Sequence, residues 1–236
     1  MTLGLQCFIA GIGLIQRPGV RRFVILPLLI NVVIFGVASW MLWLYAFDWL
    51  SNLLPSWLGW LVNILMPLFT ISLLTVVYFS FTLLANVIAA PFYSHLANSV
   101  EAILKGEEIP EVESSSIFKE IMLTMGSELR KITYYLLRAL PLLILTIIPG
   151  INVIALPLWL LFSAWFLAFE YSGYALENHK ILFQQQRLLL SEDRVSAISF
   201  GGLSLLATTT PFVNLIAPAV AVAGATKLMF EKGKLD

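Results

Sequence analysis

The stretch IIPGINVIALP, residues 147–157, interrupts one of the most apolar parts of the chain with a Pro-Gly pair, an Asn and a second Pro. It marks either the kink of a helix that crosses a membrane or the tip of a hairpin that enters and leaves on one side. That choice decides the fold. Related phrases stand at 86–91, NVIAAP, and at 214–218, NLIAP. Asn152 lies three residues after Pro149 and Asn214 three after Pro211, an offset of 62 along the chain. Val, Ile, Ala and Leu are abundant throughout, so only the Asn and Pro carry information. Paired hairpins and a chance match are the two readings.

Working outward, 59% of the 236 residues are hydrophobic and only 12% charged, where soluble domains carry roughly a quarter charged residues. The chain reads as an all-α integral membrane protein. Its net charge of zero argues against nucleic acid as a partner. The single Cys7 excludes an internal disulfide and a cysteine-built metal site. His95 and His179 stand far apart with no HExxH spacing, and neither a GxxxxGK[ST] loop nor a GxSxG elbow occurs. Neither an enzyme site nor a cofactor is therefore expected. At the N-terminus the apolar part precedes the arginines, the reverse of a signal peptide, so this segment is expected to remain on the protein.

Four runs lack Lys, Arg, Asp and Glu: 23–47, 49–100, 139–169 and 195–226. The first is 25 residues, about 37 Å as a helix, enough to span a hydrocarbon core of roughly 30 Å. In the second, WLSNLLPSWLGW reads as an interfacial turn and 61–91 as a second span. Five of the seven tryptophans (Trp40, Trp43, Trp49, Trp57, Trp60) gather at that turn, as an aromatic belt would. Runs three and four are each broken, at 147–152 and at 208–214 (TTTPFVN). Run three is left with arms of roughly 10 and 19 residues and run four with arms of about 13 and 15, and a short arm of about 10–14 apolar residues suits a re-entrant segment better than a span. The distribution of the fourteen Lys and Arg favours that reading. Four full spans would put eleven on one side and three on the other, whereas two spans plus two re-entrant hairpins put all fourteen on one side. In lipid a bent backbone needs protein or water to satisfy it. Asn152 and Asn214 are candidates for that role or for lining a polar path, together with Thr208, Thr209 and Thr210.

Outside the membrane, 101–138 opens with an acidic stretch and continues as an amphipathic cytoplasmic helix. Ile117, Ile121, Met125, Leu129 and Ile132 recur on one face, and Ser115 or Ser116 is a candidate cap. Residues 175–198 form a second amphipathic candidate. The glycine-bearing segment within 1–22 reads as an interfacial helix followed by an anion-site flank.

That flank is QRPGVRRF, 16–23. With Pro18 in the first turn of the first long helix, the N–H groups of Gly19, Val20, Arg21 and Arg22 would be unpaired helix-start donors. Such an end, with two guanidinium forks beside it, is suited to an anion. The same residues would equally serve as a basic flank that anchors the helix and sets its orientation.

The stretches LIQRPGVRRFVILPLLIN (14–31), NVIAAPF (86–92), LFSAWFLAFEYSGYALENHK (161–180) and TPFVNLIAPAVAVAGAT (210–226) resemble the CysZ family of bacterial sulfate permeases. The resemblance implies an inner-membrane protein that supplies sulfate for cysteine synthesis. It implies two transmembrane helices, two half-penetrating helical hairpins and assembly into a homo-oligomer. It also implies a sulfate-binding motif at the start of the first long helix, which by position falls on Gly19, Val20, Arg21 and Arg22. The acidic stretch at 101–120 has no match in it. The expected partners are sulfate, the lipid bilayer and further copies of the chain. A channel-like route is expected because no nucleotide motif is present and the four runs hold no Asp, Glu, Lys or Arg to act as a relay. The competing reading is a membrane scaffold that does not transport, whose hairpins exist to build an oligomer.

Overall fold

Backbone groups in so apolar a chain have to bond within their own segment, and helices do this throughout the described residues of the structure, a computed structural model. Those residues are 2–53, 67–68, 71–72, 75, 89–110 and 116–235. Among them are α1 (Leu3–Leu14), α2 (Arg22–Leu53), α3 (89–105), α4 (Ser116–Ile147), α5 (Asn152–Asn178), α6 (Phe183–Ser191), α7 (Arg194–Thr209) and α8 (Ala217–Glu231). The chain divides into two compact units, residues 25–90 and residues 1–24 with 91–236.

In the first unit α2 is an unbroken helix despite Pro27, its sixth residue, which removes only one early backbone bond. Val32, Val33, Val37 and Trp40 are all more than half exposed, the surface expected of a helix that faces lipid. Arg22–Met41 and Asn152–Asn178 are each long and apolar enough to cross a membrane. The second span expected over 61–91 and the tryptophan turn before it lie largely outside the described residues.

In the second unit both expected breaks are present. Ile148–Ile151 separates α4 from α5, with Gly150 at φ +85°, a conformation that glycine adopts at little cost. The two helices then run antiparallel. Trp159 Nε1 donates to Thr146 Oγ1 at 3.1 Å near the tip, and Tyr135 packs on Phe162 and Phe166 further down. At the base Lys131 pairs with Glu177 at 2.6 Å, both almost wholly buried. The arms are longer than the apolar runs suggested. The amphipathic helix of 101–138 and the first arm are one continuous helix, because Lys131 and Arg138 find protein partners and Pro141 stands inside it without ending it. The side chains of the expected face from Ile117 to Leu129 lie outside the described residues.

The core sits around α8, whose residues Ala219–Thr226 are buried without exception. Alanine and glycine let neighbouring backbones approach closely. A Cβ on Gly11 of α1 would meet the Val220 carbonyl, and one on Gly224 would lie 2.7 Å from the Cys7 carbonyl. A Cβ on Gly201 of α7 would meet the Ala164 carbonyl of α5. Thus α1 lies with one face on α7 and α8, while Gln6, Ile9 and Ile12 on its other side are exposed.

The chain enters α7 through Asp193, whose carboxylate accepts the Ser196 N–H at 3.0 Å and faces Lys232 at 3.2 Å. The hydrogen bonds from Ser196, with Lys232 adding to them, hold this carboxyl at about 2, below the usual carboxylate range. Asp193→Ala should destabilise the protein by about 1 kcal/mol, read as a lower melting temperature in detergent. The half-exposed ion pair adds little to that, so Asp193→Asn should lose much less. Because the folded carboxyl is the more acidic, the contribution is fully present above roughly pH 4 and fades as pH falls toward 2. The gap between wild type and Asp193→Ala should therefore close at the acid end.

Candidate functional site

The link between α1 and α2 is built by local sequence. Helix α1 closes with the Ile15, Gln16 and Arg17 N–H groups donating to the Gly11, Gly13 and Leu14 carbonyls. Arg17-Pro18-Gly19-Val20 then forms a tight turn, closed by the Val20 N–H on the Arg17 carbonyl at 3.2 Å. Proline at its second position and glycine at its third, with φ +85° at Gly19, are the residues that a type II turn requires. The helix expected to open at Pro18 opens at Arg22 instead. As a result, the Val20 N–H is not the free donor expected of it. The Pro-Gly pair that signals the turn was present in the sequence.

Two apolar anchors hold this turn. Val20 is fully buried and Phe23 nearly so, in one cluster with Leu96 and Val100 of α3. Phe23 stacks on His95 with ring centroids 6.0 Å apart. Gly19 sits under Ile109, whose Cδ1 lies 2.6 Å from where a Cβ would stand. With Val20 facing inward, Gly19, Arg21 and Arg22 are left exposed. Arg21 folds back, its Nε donating to the Gln16 carbonyl at 2.6 Å, and the Arg22 guanidinium rests on the Phe23 ring, 4.8 Å from its centroid. Among the described residues the N–H groups of Gly19, Arg21 and Arg22 have no backbone acceptor, and Arg17, Arg21 and Arg22 form no ion pair. The turn therefore offers hydrogen-bond donors and positive charge, which is the chemistry of an oxyanion site.

At the hairpin tips the candidates are distributed differently. Asn152 and Asn214 are exposed, their N–H groups bonded to the Ile148 and Thr210 carbonyls. The hydroxyls of Thr208, Thr209 and Thr210 donate to carbonyls one turn back in α7, those of Ser204, Leu205 and Leu206, at 2.7–2.8 Å. Their protons are committed to the helix end. Any sulfate path at the tips would have to use other donors.

A polar cluster that sequence reasoning missed joins α3 to the end of α5. The buried Glu101 accepts from Lys105 Nζ at 2.8 Å and from His179 Nε2 at 2.8 Å, and Lys105 also donates to the Leu235 carbonyl at 3.1 Å. Ser94 and Asn178 bond reciprocally beside it. Apart from the i, i+4 pair of Glu101 and Lys105, these partners are 78 to 130 positions apart, so no local pattern announces them.

The model of the family described as Sulfate transporter CysZ/Etoposide-induced protein 2.4 matches residues 7–218. A protein of Pectobacterium atrosepticum named Sulfate transporter CysZ is 45% identical over 97% of this chain and 85% of its own length. Proteins of the same name from Salmonella typhimurium and Pseudomonas paraeruginosa are 44% and 40% identical, over 95% and 94% of this chain and 90% and 92% of their own lengths. The chain belongs to this family.

Gly19→Ala tests the turn. The left-handed backbone should cost about 1–2 kcal/mol, and the clash with Ile109 should add to it. In the Gly19→Ala, Ile109→Ala double variant the clash is gone while the backbone strain remains. Its melting temperature should therefore lie closer to that of Ile109→Ala than Gly19→Ala lies to wild type. An unchanged melt for Gly19→Ala would show that the turn is not held as described.

Proposed function

We propose that the chain is a channel-like sulfate permease of the bacterial inner membrane, supplying sulfate for assimilation into cysteine. The observation that carries this reading is the turn at 17–22. It presents backbone donors and two guanidiniums at the start of the first long apolar helix, with no carboxylate paired to them among the described residues. Sulfate at neutral pH is a dianion with acceptors only, so a donor-only site suits it. Gly19, Arg21 and Arg22 hold the ion in this reading, and Val20 contributes by fixing the turn. The relatives named as sulfate transporters support the same substrate.

The half-depth insertion of the hairpins is part of the proposal. On α5 the exposed residues all lie between Asn152 and Leu161, with Ala155 buried and Trp159 half-buried among them, after which the helix is covered by its neighbours. That segment measures about 15 Å, half of a hydrocarbon core. On α4 the exposed apolar positions from Leu136 to Ile147 cover about 18 Å. Apart from Val195 at the start of α7, the second hairpin exposes its large apolar side chains over Leu206–Ile216. On this reading neither hairpin exposes enough apolar surface to cross alone, although α5 is long enough to do so, and we assign the assembly as a homo-oligomer in which a second copy completes the path. At the tips the side-chain amides of Asn152 and Asn214 are the donors that remain uncommitted among the described residues.

Sulfate binding to the purified protein and flux into proteoliposomes holding it alone test the proposal. Arg21→Ala or Arg22→Ala should weaken binding about ten- to a hundredfold, the size of a lost charge-assisted hydrogen bond. Arg17→Ala should change it far less. Lysine at the critical position should recover only part, because a point charge makes no fork. Equal small losses for all three alanine variants would reduce the cluster to a helix anchor. Absence of flux in wild type would favour the scaffold.

Topology is tested separately by cysteine labelling in a background with Cys7 replaced. Positions 150 and 212 should be shielded by the bilayer, and 105, 185 and 232 should label from one common side. Labelling of 185 from the side opposite to 105 would make α5 a full span and remove the hairpin reading.

A further inference from the structure

We propose that Arg138 and Arg187 form a binding site for the phosphodiester of an anionic membrane lipid, built on Tyr134 at the base of the first hairpin. Arg138 lies one turn from Tyr134 along α4, and its guanidinium sits 3.9 Å from the ring centroid. Arg187 reaches the same ring from α6, at 5.9 Å. Two cations therefore converge on one aromatic ring from two different helices. Neither forms an ion pair or a hydrogen bond among the described residues, whereas Lys105, Lys131, Lys227, Lys232 and Lys234 each pair with a carboxylate. Both guanidiniums lie within 6 Å of the same ring centroid, so no more than about 10 Å separates them, and an anion held between them would offset their mutual repulsion.

The platform is rigid. Tyr134 stacks on Phe169 at 6.3 Å and meets Phe183 edge-on at 5.3 Å, and Phe183 is also edge-on to Phe169 at 5.3 Å. Phe183 lies one turn before Arg187 on α6, so the aromatic triad that seats α6 also aims its arginine. The guanidiniums therefore need little reorganisation to receive a ligand, and their forked donors match the two free oxygens of a phosphodiester.

Its position selects a lipid. Toward the tip the surface of α4 is apolar and exposed, at Leu136, Leu137, Leu140 and Leu143. On the other side of Tyr134 stands the Lys131–Glu177 pair, and α6 exposes Gln184 and Gln185 there. The two arginines stand where the continuous apolar surface of α4 gives way to one in which Ile132, Leu182 and Leu188 are mixed with charged and amide groups, the composition of the headgroup level of a bilayer. Acyl chains would then run along the exposed leucines. This assignment rests on the reading that the hairpin enters the bilayer. It is independent of where sulfate binds.

The test uses the full chain purified in neutral detergent, with phosphatidylglycerol, uncharged diacylglycerol and soluble glycerol phosphate as the added probes. Native mass spectrometry counts bound lipid, and thermal unfolding reads its effect. Phosphatidylglycerol should be retained and should raise the melting temperature, and diacylglycerol should do neither. Arg138→Gln and Arg187→Gln should each weaken retention about tenfold, and the pair together should abolish the shift. Lys180→Gln and Arg194→Gln, which remove exposed cations elsewhere, should leave retention unchanged. If the double Gln variant does not fold, the double Lys variant keeps the charge without the forks and should show intermediate retention. Undiminished retention in the double Gln or double Lys variant would overturn the site. So would equal losses in the Lys180 and Arg194 controls. A shift given equally by glycerol phosphate would mark a site for a soluble oxyanion and overturn the lipid assignment. Loss of the lipid effect while position 150 is still shielded from labelling would sink this site alone and leave the hairpin reading standing.

Discussion

A helix end that lies in hydrocarbon has no water to accept its last carbonyls, and on the proposed reading both described turns between apolar arms have to meet that constraint. The end of α7 meets it with three successive threonines, each returning its hydroxyl proton to a carbonyl one turn earlier. Thr146 does the same for Leu142 near the end of α4, while its oxygen receives the Trp159 indole across the hairpin. Asn152 donates its backbone N–H to Ile148 and so ties the start of α5 back to the end of α4. The Asn and Thr that punctuate the apolar runs are thus placed where helices end. The prolines act just inside those ends, at Pro157 and, on α2, Pro27, where little backbone bonding is lost.

Much of this was legible because it is local. Pro-Gly at 149–150 and Thr-Pro-Phe at 210–212 announce turns whatever surrounds them, and the two breaks lie where those residues stand. The length of the arms was not legible. Arg138 ends the uncharged run, yet it rests on a tyrosine one turn away, and Lys131 is neutralised by Glu177 from the facing helix. Charge read along a sequence marks a boundary only when no partner is folded against it. The same limit applies to Glu101, whose partner His179 arrives from another helix. The turn at 17–20 was legible in its residue types but not in its geometry. Pro18 was taken as the start of a helix, where Pro-Gly builds a turn, and Val20 became an anchor rather than a donor.

That turn shows how the proposed anion site would be held without charged scaffolding. Val20 and Phe23 face the core, so the residues between and beside them have to face outward. Gln16 receives Arg21, and Phe23 receives Arg22, which limits the guanidiniums while leaving donors free. Because α1 is seated on α7 and α8 while Phe23 is seated against α3, the two ends of the turn are fixed by different parts of the same unit. The site's shape therefore depends on core packing, and core substitutions far from any arginine should be felt there.

The seam where Gly11 and Gly224 bring α1 and α8 together has a consequence for how such a sequence changes over generations. Replacing either glycine alone puts a methyl group against the opposite backbone, at the Val220 carbonyl for one and the Cys7 carbonyl for the other. A backbone cannot rotate out of the way as a side chain does. Moving the helices apart would open gaps along all the alanines that line α8, so accepting one methyl requires several neighbours to grow together. Single mutational steps across the seam therefore pass through poorly packed intermediates. This part of the chain should drift more slowly than its exposed apolar arms, where one aliphatic residue replaces another freely.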